Sequence, residues 1–481
     1  MKILSDILED IKILESHGNL DAHVSSVSLD SRRIEPNSCF VAIVGNVVDG
    51  HMFIDEVIKK GATSIVYEKD PSDFENGVTY IKVSDTHSAV GIVASNFYGN
   101  PSRKMKLVGV TGTNGKTTTV TLLHQLFLDL GHKVGMIGTV VNKINNKSQV
   151  AERTTPDAIT LNKLFAEMVD DGCEYCFMEV SSHAVCEKRI EGVSFFGGIF
   201  TNLTLDHLDY HKTFENYCDA KKSFFDILPA TGFAIANIDD DKGEYMLSNT
   251  KATKYRLSLK KDADVSAETL MKVDFNERLK TKLIGEFNVY NILGIYAVAV
   301  LLGQDKNKVK EIIENLEPVT GRFQYIKSQH GVTGIVDYAH TPDALENVLR
   351  TINEMKHVPV GLVHGKVITV IGCGGDRDKS KRPIMAKIGY DMSDILILTS
   401  DNPRSEKPED ILNDMQKGLP LDMEREVEII IDRHMAIQKA CSLSLAGDFI
   451  LVAGKGHETY QEVNGVKSHF DDMEELQKYL K

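Results

Sequence analysis

The chain has 481 residues, of which 42% are hydrophobic and 26% charged, and its formal net charge is −14. This length predicts roughly two to four domains with large cores. The lack of an apolar run of ~18 residues excludes a membrane-spanning helix, and the acidic balance opposes non-specific binding to nucleic acid. The N-terminal stretch "MKILSDILEDIKIL" mixes acids into its apolar residues, unlike a signal peptide, so we expect a cytoplasmic protein.

The first predicted segment covers residues 1–100. Three short apolar stretches, "HVSSVSLDSRRI", "SCFVAIVG" and "ATSIVYEK", read as strands, and the turn-rich "YGNPSRK" closes the segment. We predict a small α/β domain here.

The second segment, residues 101–325, opens on "LVGVTGTNGKTTTV", which resembles a phosphate-binding loop although Val110 replaces the usual opening glycine. The valine-rich "KLVGVT" predicts a buried strand, and "TTTVTLLHQLFLDL" predicts a helix. At such a turn the helix N-terminus favours an anion, Lys116 neutralises phosphate charge and the Thr117 hydroxyl binds Mg²⁺. The alternative is an ordinary strand–helix turn.

Further strands of this segment are predicted at "KVGMIGT", "YCFMEVSS", "GGIFTNLT" and "GFAIANID". Cys173 and Cys176 form a C-x-x-C with no second pair, which favours two reduced core thiols over a zinc site or a disulfide. Glu179 ends its strand where a phosphate-loop enzyme needs an acid for Mg²⁺; the alternative is a solvated glutamate.

The stretch "DHLDYH" places His207 and His211 four residues apart, as in a zinc-binding helix. The glutamate of H-E-x-x-H is missing, because Leu208 stands in its place. A histidine that helps to hold Mg²⁺ near a nucleotide agrees better with the phosphate loop upstream.

The third segment, residues 326–481, has predicted strands at "GIVDYAH", "VITVIGCGG", "DILILTSDN", "VEIIID" and "DFILVAGKG". The turns "GCGGDRDK" and "DNPR" display Arg377 and Arg404, a pair suited to binding a carboxylate. For either arginine alone, a surface ion pair is the alternative reading.

Both later segments concentrate polar and glycine-rich stretches at the carboxyl ends of their strands. Mostly parallel, doubly wound sheets bind ligands at that edge. We therefore predict an active site in a cleft between the two sheet edges.

The motifs "GVTGTNGKTT", "MEVSSH", "TNLTLDHLDYH", "GEFNVYN", "GRF", "DYAHTPD", "GCGGDRDKSKRP", "DNPR" and "AGKGHE" occur in the order typical of Mur ligases, and the chain resembles the diamino-acid-adding members of that family over its whole length. The resemblance also accounts for Val110, since the family's loop regularly lacks the first glycine. It implies an α/β enzyme of three domains: a smaller N-terminal domain that binds a UDP-linked substrate, a central P-loop ATPase-like domain with a mostly parallel sheet, and a Rossmann-like C-terminal domain that binds an amino acid.

The resemblance further implies an ATP-dependent ligase of cytoplasmic peptidoglycan synthesis that requires Mg²⁺. Its substrates would be ATP, UDP-N-acetylmuramoyl-L-alanyl-D-glutamate and meso-2,6-diaminopimelate, and the reaction would pass through an acyl phosphate. We expect a monomer without a nucleic-acid or membrane partner.

Site residues carried over from the family fall into four groups. The ATP side would comprise Gly112, Thr113, Asn114, Gly115, Lys116, Thr117, Thr118, Asn288, Asn291, Arg322 and Asp337. The UDP-linked substrate would contact Leu29, Ser31, Thr154, Thr155, Ser181 and Arg189, and the loop "GNVVDGH" near its diphosphate. Diaminopimelate would contact Arg377, Asp401, Asn402, Pro403, Arg404, Gly454 and Glu458. The metal would be held by Thr117, Glu179, His207 and Lys221, the last modified to N6-carboxylysine. Lys116, Glu179, His207 and Lys221 would be catalytic, whereas Arg153 and Glu187 are left unassigned.

The carbamate on Lys221 follows from chemistry once the family role is given, because an ammonium has no acceptor and cannot ligate Mg²⁺. Without the resemblance, the sequence would place Lys221 on a helix surface. Four alternatives stay open: an L-lysine-adding enzyme, a paralogue with another substrate, a folylpolyglutamate-type ligase, and a nucleotide-dependent switch or binding module.

Overall fold

The computed structural model describes residues 1–45, 48–266, 281–356 and 365–480. The N-terminal region contains a five-stranded sheet in the order β2-β7-β6-β5-β4, in which only β2 is antiparallel, and a separate β1–β3 pair. Its strands are β1 (Lys2–Ile3), β2 (Ile13–His17), β3 (His23–Val24), β4 (Ser26–Ser28), β5 (Ser38–Val41), β6 (Ala62–Tyr67) and β7 (Thr79–Val83). Its helices are Leu4–Ile7, Ile54–Lys59 and Thr86–Phe97, with 3₁₀ turns at Gly50–Phe53 and Pro101–Lys104.

The central region is built on a nine-stranded sheet in the order β11-β10-β9-β12-β8-β13-β14-β15-β16. The strands are β8 (Lys106–Thr111), β9 (Val134–Ile137), β10 (Val141–Ile144), β11 (Lys147–Val150), β12 (Tyr175–Glu179), β13 (Gly197–Phe200), β14 (Phe233–Asn237), β15 (Thr253–Ser258) and β16 (Val265–Ser266). All pairs are parallel except those that involve β10. The helices are Lys116–Asp129, Ala158–Asp170, Ser182–Cys186, Leu208–His211, Phe214–Asp226, Gly243–Leu247, Glu286–Leu301 and Lys306–Asn315.

The C-terminal region has a six-stranded sheet in the order β17-β18-β22-β19-β20-β21, parallel except for β17, and a hairpin of β23 and β24. The strands are β17 (Gln324–Lys327), β18 (Thr333–Asp337), β19 (Val367–Ile371), β20 (Ile395–Leu398), β21 (Glu426–Ile429), β22 (Phe449–Ala453), β23 (Tyr460–Val463) and β24 (Val466–His469). The helices are Pro342–Lys356, Lys381–Met392, Pro408–Gln416, Arg433–Leu443 and Asp472–Tyr479.

The α/β class and the mostly parallel sheets confirm the prediction. Each strand predicted in the second and third segments is present, because a run of buried Val, Ile and Leu in the middle of a parallel sheet is recognisable from sequence. The predicted domain boundary at 325/326 falls inside β17, which pairs with β18 of the third sheet. Cys173 lies just before β12, Cys176 lies in it, and both are buried free thiols, as predicted.

Apolar side chains cover both faces of the central and third sheets. One cluster of the central sheet packs against the helices Lys116–Asp129 and Glu286–Leu301, and another lies on the opposite face. The third sheet likewise has a core on each face. This sandwiching leaves the strand ends as the exposed edge of each sheet. Within the described residues, no helix is both long enough and apolar enough to cross a bilayer.

Candidate active site

The loop between β8 and the following helix has the shape of an anion-binding turn. Gly115 precedes the helix with φ +88°, and a Cβ atom there would stand 2.9 Å from Asn291 Oδ1, so glycine is required. The Lys116 ammonium curls over the loop and donates to Gly112 O at 2.8 Å and to Thr113 O at 2.7 Å. A helix N-terminus and an ammonium therefore meet at one point, where an anion is favoured.

Neighbouring segments fix this loop in place. Thr113 N donates to Asn202 O at 2.8 Å, and Asn114 N donates to Asn202 Oδ1 at 2.9 Å. The Asn114 side chain also reaches the third domain, where its Nδ2 donates to Asp343 Oδ2 at 3.0 Å. Thr118 is buried in the first turn of the helix. The loop is thus shared between the central and C-terminal regions.

Glu179 ends β12 beside the loop and is buried, with 1% of its surface exposed. Its carboxylate accepts from Thr117 Oγ1 at 2.9 Å and from Thr139 N at 2.8 Å. Arg322 Nη2 donates to the same Thr117 hydroxyl at 3.2 Å. The alternative of a solvated strand-end glutamate is therefore wrong. The Thr117 hydroxyl and the Glu179 carboxylate thus stand side by side, and both are oxygen donors of the kind that Mg²⁺ prefers.

Lys221 lies on the helix Phe214–Asp226 and is 1% exposed, so the sequence-based placement on a helix surface is wrong. Its Nζ donates to Gly112 O at 2.8 Å and stands 4.6 Å above the Tyr217 ring. Burial, together with the nearby Lys116 charge, lowers the pKa of Lys221 well below its usual range. The buried amine faces the phosphate loop.

His207 precedes the short helix Leu208–His211 in a left-handed conformation, with φ +55°. Burial lowers its pKa to about 3, which keeps the imidazole neutral and able to bind a metal. His211 instead is buried with its Nε2 at 2.9 Å from Ser182 Oγ. Among the described residues, no three His, Cys, Asp or Glu side chains cluster as metal ligands.

A cavity of about 300 Å³ opens between the central and third sheets, and its lining includes Asn291, Arg322 and Asp337. Asn288 stands behind Asn291 and accepts from its Nδ2 at 3.1 Å. The Arg322 guanidinium lies 4.4 Å above the Tyr338 ring, and its Nε is buried without a hydrogen-bond partner in the part of the chain that is described. Burial raises the pKa of Asp337 to about 6. An unpaired buried donor in a polar cavity indicates a site for an anionic ligand.

The residues expected near the UDP-linked substrate form one compact group and one separate pair. Thr155 Oγ1 donates to Glu179 O at 2.7 Å, and Ser181 N donates to Thr155 Oγ1 at 3.1 Å. Arg189 Nη1 donates to Thr155 O at 2.9 Å, and its Nε donates to Glu187 at 2.9 Å, which accounts for the unassigned acid. Thr154 is connected to this group through Thr139, whose hydroxyl lies 3.1 Å from that of Thr154 and 3.1 Å from Glu179 Oε2.

Leu29 and Ser31 lie apart from that group, after β4 in the N-terminal region, and Leu29 is 37% exposed. No hydrogen bond between described residues links them to the central group. In the loop "GNVVDGH", Asn46 and Val47 lie outside the described residues.

The turn of residues 401–404 follows β20 and holds Arg404 with φ +52°. Arg404 Nη1 donates to Gly375 O at 2.7 Å, and its Nε lies 3.8 Å from Glu462 Oε2. Arg377, on the loop that contains Gly375, is exposed and forms no hydrogen bond or ion pair with any residue that the structure describes. The two arginines therefore flank one another on adjacent strand-end loops.

Gly454 and Glu458 follow β22 and meet this turn. Gly454 has φ +114°, and a Cβ atom there would stand 2.7 Å from Asp401 Oδ2, so the two loops approach this closely only with glycine. Asn402 Nδ2 donates to Glu458 Oε2 at 2.7 Å. Burial, and then the Asp401 charge, raise the pKa of Glu458. The structure thus brings the turn of Arg404 and the loop of Glu458 together at one edge of the sheet.

Sequence reasoning missed several side chains of this edge. Lys455 is fully buried, and Tyr338 lies between His340 and His457, with ring centroids 4.5 and 4.9 Å away. Burial lowers the pKa of His340 to about 4 and that of His457 to about 3. All four lie within "DYAHTPD" and "AGKGHE", so their position at strand ends was the available signal. Thr139, which donates to the Glu179 carboxylate, was also missed, although it ends the predicted strand "KVGMIGT".

Three family models match the chain: the Mur ligase family catalytic domain at residues 23–98, the Mur ligase middle domain at 110–299, and the Mur ligase glutamate ligase domain at 321–456. The chain is 51% identical over 482 residues to the UDP-N-acetylmuramoyl-L-alanyl-D-glutamate--2,6-diaminopimelate ligase of Bacteroides fragilis, with 98% of each chain covered.

Solved structures agree. A UDP-N-acetylmuramoyl-L-alanyl-D-glutamate--2,6-diaminopimelate ligase superposes with a TM-score of 0.68 at 28% identity, covering 100% of this chain and 99% of that chain. The MurF ligase of Thermotoga maritima in complex with ADP has a TM-score of 0.59 at 17% identity and covers 95% of this chain and 96% of its own, which shows a shared fold alone.

Proposed function

This chain belongs to the Mur ligase family, and from that premise we propose that it joins an amine of meso-2,6-diaminopimelate to the γ-carboxyl of D-glutamate in UDP-N-acetylmuramoyl-L-alanyl-D-glutamate. ATP is converted to ADP and phosphate. The observation that carries this proposal is the position of Arg322 between the two sheet edges: its Nη2 donates to Thr117 Oγ1 beside the phosphate loop, and its guanidinium lies 4.4 Å above the ring of Tyr338 in the third sheet's strand-end motif.

The chemistry has two steps. A carboxylate oxygen of D-glutamate attacks the γ-phosphorus of ATP, so that an acyl phosphate forms and ADP leaves. The diaminopimelate amine then attacks the acyl carbon, the C–O bond to phosphate breaks, and the amine loses a proton. Two anions must approach one another in the first step, and Lys116 and Arg322 place positive charge between them.

Magnesium is the metal that fits the residues beside the loop. Thr117, Glu179, His207 and a carbamylated Lys221 would hold it, and when bound it supplies further positive charge to the triphosphate. The hydroxyl and carboxylate oxygens 2.9 Å apart suit this hard cation, which takes its remaining ligands from phosphate and water. A site built in this way does not need three clustered acids or histidines.

Carbamylation of Lys221 is supported by its burial. A lysine amine attacks CO₂ only in its neutral form, forming an N–C bond and releasing one proton. The desolvated position of Lys221, next to the positive Lys116, favours that neutral form. The resulting carbamate would be negative and would lie beside two cations, Lys116 and Mg²⁺.

Phosphate release tests the reaction. We expect release from ATP to require both the UDP-linked dipeptide and diaminopimelate. Release with L-lysine at equal efficiency would indicate the lysine-adding enzyme, and release with a folate and glutamate would indicate the folylpolyglutamate type. Hydrolysis that depends on no acceptor would indicate a nucleotide switch and would contradict the ligase.

The choice of diaminopimelate over lysine depends on Arg404. Diaminopimelate carries a carboxylate at its far end, which a guanidinium binds through two parallel hydrogen bonds, whereas lysine would present a second cation to the same group. We expect the wild type to prefer diaminopimelate by about 10²-fold in kcat/KM. In Arg404→Ala this preference should fall to within about tenfold, since one charged hydrogen bond is worth about 1.5–3 kcal/mol.

The measurement is kcat/KM for both amino acids in the wild type and in the variant, with KM for ATP as the internal control. Arg404 contacts the loop of Gly375 and not the phosphate loop, so KM for ATP should be the same in the variant as in the wild type. Equal use of lysine by the wild type, or unchanged selectivity in the variant, would refute this role.

A further inference from the structure

Lys455 forms a closed triangle with two residues of the proposed amino-acid site. Its Nζ donates to Asn402 Oδ1 at 3.0 Å and to Glu458 Oε2 at 3.1 Å. Asn402 Nδ2 closes the triangle by donating to the same Glu458 oxygen at 2.7 Å. Lys455 is 0% exposed, so its ammonium has been removed from water and depends on these partners.

The triangle occupies one oxygen of Glu458 and leaves the other available. Both donors converge on Oε2, while Oε1 accepts no hydrogen bond from any residue of the described ranges. A carboxylate held at one oxygen by two donors has its second oxygen aimed in a fixed direction. Oε1 therefore stays available as an acceptor for an incoming ammonium group.

The roots of both loops are also fixed from behind. The fully buried Arg433 pairs with Asp472 at 2.7 Å and donates through Nη2 to Ala453 O at 3.0 Å. It also donates to Ser400 O at 3.3 Å. Ala453 and Ser400 immediately precede the loops of Lys455 and Asn402. Arg433 therefore holds the backbone at the start of both loops.

We propose that Lys455 is a positioning residue that orients Glu458, both directly and through Asn402, to accept the distal ammonium of the diamino acid. This inference rests on the proposed function and deepens it. Lys455 would act on the substrate only indirectly, by orienting Glu458. Its positive charge lowers the pKa of Glu458, which burial and the Asp401 charge raise.

The charges around Glu458 determine the pH dependence. Burial and Asp401 raise its pKa, whereas Lys455 and Asn402 lower it. Tyr338 and Arg433 also interact electrostatically with Glu458, and Arg433 is already paired with Asp472. Removing the Lys455 charge therefore raises the pKa of Glu458 further, so that the carboxylate is lost at a higher pH.

Lys455→Met tests the proposal, because methionine fills a similar volume without charge. We expect KM for diaminopimelate to rise about tenfold or more, the size of one lost hydrogen bond to a charged group. The acidic limb of kcat/KM for diaminopimelate should move to higher pH. KM for ATP and for the UDP-linked dipeptide should change by less than about threefold, since additive effects are expected at distant sites.

A double-mutant cycle separates positioning from a structural effect. In Glu458→Gln, which already lacks the charge, adding Lys455→Met should raise KM for diaminopimelate by less than about threefold. The double variant also guards against misfolding. Removing both charges of a buried ion pair costs far less folding stability than removing one charge and leaving the other unpaired. Equal effects of Lys455→Met in both backgrounds would overturn the proposal.

Lys467→Met is the matched control. Lys467 is an exposed cation that stands 4.2 Å above the Tyr460 ring, against 5.5 Å for Lys455. The control should leave KM for diaminopimelate and its pH profile unchanged. A wild type without diaminopimelate-dependent phosphate release would refute the proposed function, whereas an active wild type with a normal Lys455→Met variant would refute only this inference.

Discussion

We expect Lys116→Ala to lower kcat for ligation by about 10²–10³-fold, the usual effect of losing one preorganised electrostatic donor. Lys116 is the ammonium of the phosphate loop, and its Nζ now lies 2.7–2.8 Å from two loop carbonyls. A triphosphate on the helix N-terminus would offer this ammonium stronger acceptors than those carbonyls. The alanine variant would leave the developing charge on the γ-phosphate without that partner.

Initial rates of phosphate release at saturating substrates measure this effect. Lys106→Ala provides the control. Lys106 is an exposed lysine at the start of β8, the strand that leads into the loop of Lys116. We expect that control to retain wild-type turnover. If Lys116→Ala also retained it, the loop after β8 would not be the phosphate loop of this enzyme.

Lys221→Ala should lower ligation by about 10²-fold or more and should recover partly when bicarbonate or a short carboxylate is added. The proposed role needs carboxylate-type oxygens next to the loop, and alanine leaves room for a small anion there. Gly112 O would still accept from Lys116 at 2.8 Å, so the loop keeps one of its two ammonium donors.

Lys222→Ala is the control for this experiment. Lys222 is the next residue of the same helix, and its Nζ pairs with Asp226 at 2.7 Å instead of facing the loop. Its activity should stay close to that of the wild type and should not respond to bicarbonate. Full activity of Lys221→Ala without any added anion would remove Lys221 from the mechanism.

Local patterns in the sequence were enough to predict five strands of the central sheet, five strands of the third sheet and the glycine turn after β8. A buried strand such as β8 needs a run of apolar residues, and the turn after it needs glycine where φ is positive. The hairpin of β10 and β11 was missed because polar residues interrupt its few apolar ones and β11 is exposed along its whole length. The edge strand β17 was missed for the same reason, since it alternates between half-buried and exposed residues.

The types of residue at the strand ends could be predicted from sequence, but the contacts that these residues make could not. Parallel strands end at one edge, so Glu179, Arg404 and Glu458 could be placed at strand ends from sequence alone. Which groups they contact could not be read in this way. The ion pair between Arg189 and Glu187 could not be predicted, because residues two apart in sequence contact one another only in some backbone conformations.

The sequence by itself determined the fold class, the order of the strands along the chain and the residue types at the carboxyl edges, because hydrophobic period and glycine positions are local properties. Only the tertiary structure decided that Lys221 is buried against a loop 109 residues away and that Asn114 bridges 229 residues to Asp343. It also decided that Lys455 closes a triangle with Asn402 across 53 residues. Burial and long-range hydrogen bonds depend on how distant segments pack together, and no local pattern in the chain encodes that distance.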